Sequence, residues 1–267
     1  MDSGDGFAPY SELIPLMLGG KTILVCGASQ GIGKTVCEKV LGLGANLHQV
    51  ARNGDALRKN AELWAGIYKG QTVSTLSLDL TSHQSATALA SFLESKEPID
   101  GVVVTVGAGT PLQGDFATNL RNSLDINLFS AVHSVMGATP YFRRDSNSSV
   151  VVVGSIAGHE LLDCPPEYAA SKAALEMLVK HWSKLYSPIR FNSVAPGNVQ
   201  TSHSVWQRRT LEEPEKLSEE LELQVSMGRL GQPEEIANVI TFLLSSESSF
   251  ITGSTITVDG GQQRSVR

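Results

Sequence analysis

Residues 22–40 read TILVCGASQGIGKTVCEKV, and this stretch decides the fold class. The β-branched run at Thr22 to Val25 predicts a buried strand, because it is short, apolar and closely followed by glycine. Beyond the glycines, apolar residues recur at the spacing of one helix face, at Ile32, Val36 and Val40. A strand that turns directly into a helix begins a strand–helix–strand unit, which predicts a parallel sheet.

The same alternation continues along the chain. Six further short apolar runs are bounded by Gly, Asn or Asp and separated by helix-length segments. They are Leu47 to Val50, Val73 to Leu78, Val102 to Val106, Val150 to Val153, Phe191 to Val194 and Thr255 to Val258. This order predicts an α/β protein with a single-domain Rossmann fold, a doubly wound seven-stranded parallel sheet flanked by helices. Ligands of such sheets bind beyond the carboxyl ends of the strands.

The length of 267 residues, 41% of them hydrophobic, suits one domain of this kind. Residues 1–18 fit neither a strand nor a helix repeat and predict an N-terminal arm, so the domain spans residues 19–267. Residues 200–227 form a charge-rich insertion after a strand. Two interpretations of this insertion stay open: a solvated pair of helices, or a lid over a ligand pocket.

Composition and charge exclude several classes of function. The formal net charge of -6 leaves no basic stripe for a phosphate backbone, so no nucleic-acid partner is expected. The longest apolar runs are far shorter than the roughly 20 residues of a membrane span, so no membrane association is expected. The acidic start, with Asp2 and Asp5, is unlike a secretory signal and favours a cytoplasmic location. The three cysteines lack paired spacing, so no metal site is expected.

The turn between the first strand and its helix suits a pyrophosphate. Glycines allow a tight turn and close approach of the backbone, and the free N–H groups of a helix N-terminus favour negative charge. The candidate dinucleotide-binding residues of this turn are Gly27, Ser29, Gln30, Gly31, Ile32 and Gly33. A purely conformational role for the glycines is the alternative.

The same turn contains the GxSxG pattern of a nucleophile elbow centred on Ser29, which would indicate a serine hydrolase. Such an enzyme needs an acid and then a histidine later in the chain. Candidate histidines without a distinctive sequence context are His133, His159, His181 and His203. The elbow also leaves Gly33 unexplained, and the hydrolase stays as an alternative.

The end of the second strand bears on the choice of dinucleotide. No carboxylate stands there to hold a ribose 2′-hydroxyl, and Arg52 occupies the place instead. A guanidinium binds a 2′-phosphate bidentately, with charge-assisted hydrogen bonds on the order of 1.5–3 kcal/mol. NADP(H) is therefore favoured over NAD(H), unless Arg52 is an ordinary surface residue. Asn53, Asp79 and Leu80 are assigned to the same site, where Asp79 accepts from an adenine amino group or caps a helix.

Tyr168 and Lys172 are four residues apart in a helical pattern and therefore share one helix face. Ser155 follows the predicted strand at Val150 to Val153, thirteen residues before Tyr168. A serine at a strand end and a tyrosine on the following helix converge at the crevice of the sheet. The YxxxK pattern alone is common and usually structural, but with Ser155 and the glycine turn it indicates a catalytic site.

Further motifs accompany this constellation. They are Asn127 in DINL (residues 125–128), YAASK from Tyr168 to Lys172, Pro196 and Gly197 with Val199 and Thr201, ITG (251–253) and VDGG (258–261). With Ser155 and the glycines at positions 27, 31 and 33, they make residues 21–261 resemble the classical short-chain dehydrogenase/reductase family.

The resemblance implies a carbonyl reductase or alcohol dehydrogenase that moves hydride between a nicotinamide dinucleotide and a small carbonyl compound or secondary alcohol. It implies that Tyr168 is the acid in reduction and the base in oxidation, and that Ser155 polarises the substrate oxygen. Lys172 would bind the nicotinamide ribose and favour the tyrosinate, and Asn127 would hold a water that links Lys172 to solvent. The family positions assigned to the cofactor also include Gly107, Pro196, Gly197, Val199 and Thr201. A homo-oligomer, either tetramer or dimer, is implied as well.

Two departures from the family pattern stand out. The family's Asn-Asn-Ala-Gly appears here as residues 104–107, VTVG, which keeps only the glycine. The residue before the first glycine is Cys26 rather than threonine, and it is expected to be a small buried side chain.

The substrate side of the site is expected at the loop after Gly197. The candidate substrate residues there are Ser204, Trp206 and Arg208, with Ser202, His203 and Arg209 beside them. This mixture suggests a polyhydroxylated or carboxylated carbonyl compound, with the indole stacking and an arginine holding an anion. Surface exposure of the same side chains is the alternative. Two other functions also stay open: an NAD-dependent alcohol dehydrogenase working oxidatively, and a non-catalytic dinucleotide sensor.

Overall fold

A computed structural model describes residues 17–109, 113–143, 147–202 and 204–265. In these ranges one parallel sheet has the strand order β3-β2-β1-β4-β5-β6-β7. The strands are β1 Thr22–Cys26, β2 Asn46–Ala51, β3 Val73–Ser77, β4 Gly101–Val104, β5 Ser149–Val153, β6 Arg190–Pro196 and β7 Thr255–Val258. The predicted Rossmann fold with its seven-stranded doubly wound sheet is confirmed.

Helices cover both faces of the sheet. They are α1 Gly31–Gly42, α2 Gly54–Ile67, α3 Ser85–Glu94, α4 Phe116–Leu124, α5 Ser130–Ala138, α6 Pro166–Leu185, α7 Val205–Glu212, α8 Pro214–Gln224 and α9 Pro233–Leu244. A π-helix at Asp125–Phe129 joins α4 to α5, and a short 3-10 helix at Ile156–Gly158 follows β5. No helix in the described ranges combines the length and hydropathy needed to cross a bilayer.

Alternating side chains of the strands supply two separate cores. In β1, Ile23 and Val25 pack towards α1, α2 and α9, whereas Leu24 and Cys26 pack towards α3, α5 and α6. This period of two explains why the strands read as continuous apolar runs, since both faces of a parallel sheet are covered. Leu18, the last residue of the predicted arm, is fully buried, and its N–H donates to the Leu43 carbonyl oxygen at 3.1 Å. Leu18 therefore belongs to the packed body rather than to the predicted arm.

The fourth strand ends earlier than its apolar run predicts. The predicted strand extended to Val106, whereas β4 ends at Val104. The Thr105 hydroxyl donates to the carbonyl oxygens of Cys26 at 3.0 Å and Gly27 at 3.2 Å, which ties the end of β4 to the turn after β1. Because β1 and β4 are neighbours from which the chain leaves in opposite directions, their carboxyl ends border a crevice.

The charge-rich insertion folds as the helix pair α7 and α8. Apolar side chains of α8 and of the segment after it form a small cluster, and Trp206 of α7 packs against it. The cluster consists of Leu217, Leu221, Val225 and Leu230. A role as a lid remains a prediction. Helices α5 and α6 keep Met136, Met177 and Leu185 exposed. The homo-oligomer implied by the family resemblance also remains a prediction.

Candidate active site

A cleft of about 450 Å³ lies at the carboxyl ends of the central strands. It is lined by many of the residues that the sequence assigns to a dinucleotide. These are Gly27, Ser29, Gln30, Gly31, Ile32, Gly33, Arg52, Asn53, Asp79, Leu80, Gly107 and Thr201. The loops after β1, β2, β3 and β4 therefore meet at one site, as expected for the switch point of this sheet.

The glycine turn is held by contacts that leave no space for side chains. A Cβ at Gly33 would overlap the Gly27 carbonyl oxygen and would lie 2.6 Å from the Thr105 hydroxyl. Gly27 itself has a φ of +96°, and a Cβ there would overlap the same hydroxyl. No side chain caps the N-terminus of α1 at Gln30, so its first N–H groups are free to meet an anion.

The loops after β2 and β3 form the other end of the cleft. Asn53 caps α2 by accepting from the Ala56 N–H at 3.0 Å, and Arg52 beside it is exposed. The Asp79 carboxylate accepts from the N–H of Thr81 at 3.0 Å and from its hydroxyl at 2.8 Å. These hydrogen bonds hold the pKa of Asp79 below its ordinary value, and the charge of Arg52 lowers it further. Asp79 thus closes a local turn and faces Arg52.

Ser155, Tyr168 and Lys172 meet beyond the end of β5. The Ser155 side chain accepts from the Ala157 N–H at 3.2 Å, which leaves its own hydroxyl proton to donate elsewhere. Burial raises the pKa of Tyr168 above its ordinary value, whereas a hydrogen bond with Ser155 lowers it. The Lys172 ammonium lies 5.8 Å from the centre of the Tyr168 ring.

Lys172 is buried and held by the strand that precedes Ser155. Its Nζ donates to the Val153 carbonyl oxygen at 2.8 Å, which uses one of its three N–H groups. Burial lowers the pKa of Lys172 to about 8, while the charge of Glu176 opposes this effect. A Cβ at Gly107 would lie 3.1 Å from the same Nζ, so the glycine kept from the family pattern gives the ammonium its space.

This burial predicts a dependence of stability on pH. Because the folded-state pKa of Lys172 is about 8 and the ordinary value is 10.5, the unfolded chain binds more protons between these values. Stability of the ligand-free protein should therefore rise with pH in this window, by about 2 kcal/mol from about pH 8 to about pH 9.5. Urea denaturation at both pH values measures the rise, with Lys172→Met as the reference. An equal rise in Lys172→Met would contradict the assignment.

Asn127 is fully buried in the π-helix. A π turn directs each N–H to the carbonyl five residues back, which leaves the carbonyl four residues back open. The Asn127 side-chain amide fills this position, donating to the Ser123 carbonyl oxygen at 3.1 Å. Its Oδ1 accepts from the Ala108 N–H at 2.9 Å. The residue therefore fastens the loop after β4 next to Lys172, and the predicted water relay remains a prediction.

The loop after β6 divides the remaining assignments. Thr201 lines the cleft, whereas Pro196, Gly197 and Val199 do not, and Val199 is buried in the core. The loop is supported by Gln262, whose side-chain oxygen accepts from the Asn198 N–H at 3.0 Å. Gln262 could not be identified from the sequence, because nothing local to position 262 shows that it meets a loop more than sixty residues away.

The predicted substrate residues have other partners in the structure. Ser204 caps α7 by accepting from the Gln207 N–H at 3.1 Å. Trp206 packs against the α8 cluster, and the Arg209 guanidinium lies 5.7 Å from its ring centre. Arg208 is exposed and lies 3.7 Å from Glu212. His203 lies outside the described residues. The structure therefore lends no support to stacking by Trp206 or anion binding by Arg208.

The hydrolase alternative also lacks a structural basis. Ser29 lines the cleft, but no histidine is among the described residues that line it. His133, one of the candidate bases, is buried, and its Nδ1 donates to the Leu80 carbonyl oxygen at 2.8 Å. Among the described residues, Ser29 therefore has no histidine at the cleft to activate it.

Comparisons with known proteins agree with this geometry. Residues 27–263 match a family model described as enoyl-(acyl carrier protein) reductase. A tropinone reductase homolog of Arabidopsis thaliana is 34% identical in an alignment of 253 positions that covers 91% of each chain.

Two solved structures have the same fold and similar sequences. A 3-oxoacyl-(acyl carrier protein) reductase of Agrobacterium tumefaciens with NADP bound is 28% identical, with 96% of this chain and 100% of that chain covered and a TM-score of 0.82. A 3-oxoacyl-(acyl carrier protein) reductase of Brucella melitensis with bound NAD is 25% identical, with 97% of each chain covered and a TM-score of 0.81.

Proposed function

Since this chain belongs to the classical short-chain dehydrogenase/reductase family, we propose that it is an NADP(H)-dependent oxidoreductase acting on a small carbonyl compound or secondary alcohol. The observation that carries the proposal is the convergence of Ser155, Tyr168 and Lys172 beside a cleft that begins at the glycine turn.

The cleft has the chemistry that a nicotinamide dinucleotide requires. Uncapped N–H groups at the start of α1 suit a pyrophosphate, and Arg52 at the far end suits a phosphate on the ribose. Lys172 has N–H groups beyond the one that binds Val153 and can donate to the second ribose. When bound, the nicotinamide supplies or accepts the hydride.

The protein side chains then manage the proton. In reduction, the Tyr168 hydroxyl gives its proton to the substrate oxygen, and in oxidation the tyrosinate takes it back. Ser155 donates a hydrogen bond to the same oxygen. Its hydroxyl proton is available for this, because the contact with the Ala157 N–H uses only a lone pair of the oxygen. The Lys172 ammonium stabilises the negative charge that develops on Tyr168. Asn127 keeps the loop after β4 beside Lys172.

The preference for NADP(H) rests on Arg52. The solved relatives include one with NADP and one with NAD, so similarity does not decide between the two dinucleotides. Arg52 lines the cleft and is exposed to a ligand entering from solvent. The Arg52 guanidinium faces Asp79. The negative Asp79 carboxylate would repel a bound 2′-phosphate, and the positive charge of Arg52 offsets this repulsion.

Arg52→Ala is expected to weaken NADPH binding by about ten- to a hundred-fold and to change NADH binding little, because only NADPH has the 2′-phosphate. Fluorescence titration of the purified protein with each reduced dinucleotide measures both affinities. Arg58→Ala is the matched control, since Arg58 is exposed on the neighbouring helix and pairs with Asp55. Equal weakening of both dinucleotides, or tighter binding of NADH than NADPH by the unaltered protein, would overturn the preference and favour the NAD-dependent alternative.

A further inference from the structure

A buried polar cluster lies behind the proposed catalytic residues. His159 follows the 3-10 helix after Ser155, and Glu176 lies on α6, one turn beyond Lys172. The His159 Nδ1 lies 3.2 Å from Glu176 Oε2, and the two side chains are only 2% and 9% exposed. Water therefore screens this pair far less than a surface ion pair.

The second nitrogen of His159 meets the C-terminal segment. Its Nε2 lies 2.9 Å from the side-chain oxygen of Gln263. The direction of this amide is fixed by the Ser265 carbonyl oxygen, which can only accept and lies 3.2 Å from the Gln263 side-chain nitrogen. The imidazole is thus held between an amide oxygen and a carboxylate.

Both partners of His159 are hydrogen-bond acceptors. A neutral imidazole has one N–H group and satisfies only one of them. Both contacts form when the ring carries two protons, or when Glu176 carries the second one. When both contacts form, the pair therefore carries one proton more than a neutral imidazole beside a free carboxylate, and less negative charge remains on Glu176.

This carboxylate acts directly on the proposed active site. A Cβ at Gly154, the residue between Val153 and Ser155, would lie 3.1 Å from Glu176 Oε1. Glu176 is thus packed beneath the backbone that binds Lys172 and carries Ser155. Its charge raises the pKa of Lys172 against the effect of burial. Removing the Glu176 carboxylate therefore takes negative charge away from Lys172. Removing His159 leaves more negative charge there.

Other charged groups border the cluster. Glu160 faces His159, and hydrogen bonds from Ser265 together with the charge of His159 lower the pKa of Glu160. Asp259 accepts from the Gln263 N–H at 2.6 Å and so belongs to the C-terminal side. On the α6 side, Lys172 interacts with Glu176 through its charge. Each stays in place in the variants described below.

We propose that His159 and Glu176 are positioning residues that set the charge environment of Lys172, and that Gln263 fixes His159 for this task. The proposal rests on the proposed function for its catalytic meaning. In turnover, the cluster keeps Lys172 charged when Tyr168 exchanges its proton. It also makes the active site depend on the C-terminal segment, because the imidazole is held from that side by Gln263.

The test uses the ligand-free protein and so does not require a known substrate. The free energy of unfolding is measured against pH for each protein and for the same protein with Lys172→Met. The pH at which the difference between the two begins to rise marks the onset of the titration of Lys172. Glu176→Gln should move this onset to lower pH, on the order of one pH unit, because an attractive charge is lost. His159→Gln should move it to higher pH, because Glu176 then keeps its full charge. Glu62→Gln, an exposed carboxylate on α2, is the control and should leave the onset unchanged.

Opposite shifts are the decisive result, since a purely structural role would not reverse sign between the two partners. Shifts of Glu176→Gln and His159→Gln in the same direction, or onsets equal to that of Glu62→Gln, would overturn the proposal. If Glu176→Gln does not fold, Gln263→Leu replaces it, and a shift to higher pH is required because His159 then needs only one proton. NADPH titration of the same proteins separates the two ideas: opposite shifts without NADPH binding would retain the charge cluster and reject the proposed function.

Discussion

Tyr168→Phe is expected to lower turnover by about 10²- to 10⁴-fold, because the phenol supplies the proton that a carbonyl oxygen must receive. Loss of absorbance of NADPH, measured with a panel of carbonyl compounds, gives the rates. Binding of NADPH should change little, since the ring remains and the glycine turn, Arg52 and Lys172 are untouched. The effect should therefore lie in kcat rather than in the affinity for dinucleotide.

Tyr186→Phe provides the matched control for this change. Tyr186 caps the other end of the same helix, and its ring stacks on Phe191 at 5.6 Å between centroids. Removing its hydroxyl should leave turnover within about twofold, as is usual for substitutions outside a site. Turnover by Tyr168→Phe at a level similar to that of Tyr186→Phe would reject Tyr168 as the proton donor.

Gly33→Ala is expected to abolish NADPH binding and to lower the free energy of unfolding by about 1–3 kcal/mol or more. The added Cβ would overlap the carbonyl oxygen of Gly27 and lie 2.6 Å from the Thr105 hydroxyl. Because one of these neighbours is backbone, the turn itself must open, and the N–H groups at the start of α1 lose their alignment. Urea denaturation and fluorescence titration with NADPH measure the two effects.

Gly66→Ala separates this steric effect from the ordinary consequence of replacing glycine. Gly66 is also helical, but nothing lies within 4 Å of an added Cβ there. This change should raise the free energy of unfolding by about 0.4–1 kcal/mol, through the reduced entropy of the unfolded chain. NADPH binding by Gly33→Ala at the affinity of Gly66→Ala would show that the close approach at the glycine turn has no part in dinucleotide binding.

Much of the architecture could be predicted because it depends on local patterns. Strand-sized apolar runs that alternate with helical repeats leave few topologies other than a doubly wound parallel sheet. Residues near strand ends could be predicted for a similar reason, since the carboxyl ends of parallel strands meet at one edge. Gly27, Arg52 and Gly107 therefore line one cleft, although they come from three different loops.

For the insertion, the sequence predicted the helices but not the contacts of their side chains. The sequence of residues 200–227 indicated helices, and α7 and α8 are present. It could not indicate which face of Trp206 is covered, because that depends on how the pair folds back on itself. The indole packs against the leucines of α8 and meets Arg209, and its contact with substrate stays a prediction.

The sequence by itself determined the sheet, the glycine turn and the spacing of Tyr168 and Lys172, because each depends on residues that are neighbours in the chain. Only the tertiary structure decided which polar groups surround Lys172. His159 and Gln263 are separated by 104 positions, yet they lie 2.9 Å apart in the structure. Local periodicity carries no information about such a contact. The contact arises because β5 and β7 are parallel, so the segments that follow them begin at the same end of the sheet. Buried polar groups that meet there must find hydrogen-bond partners in each other.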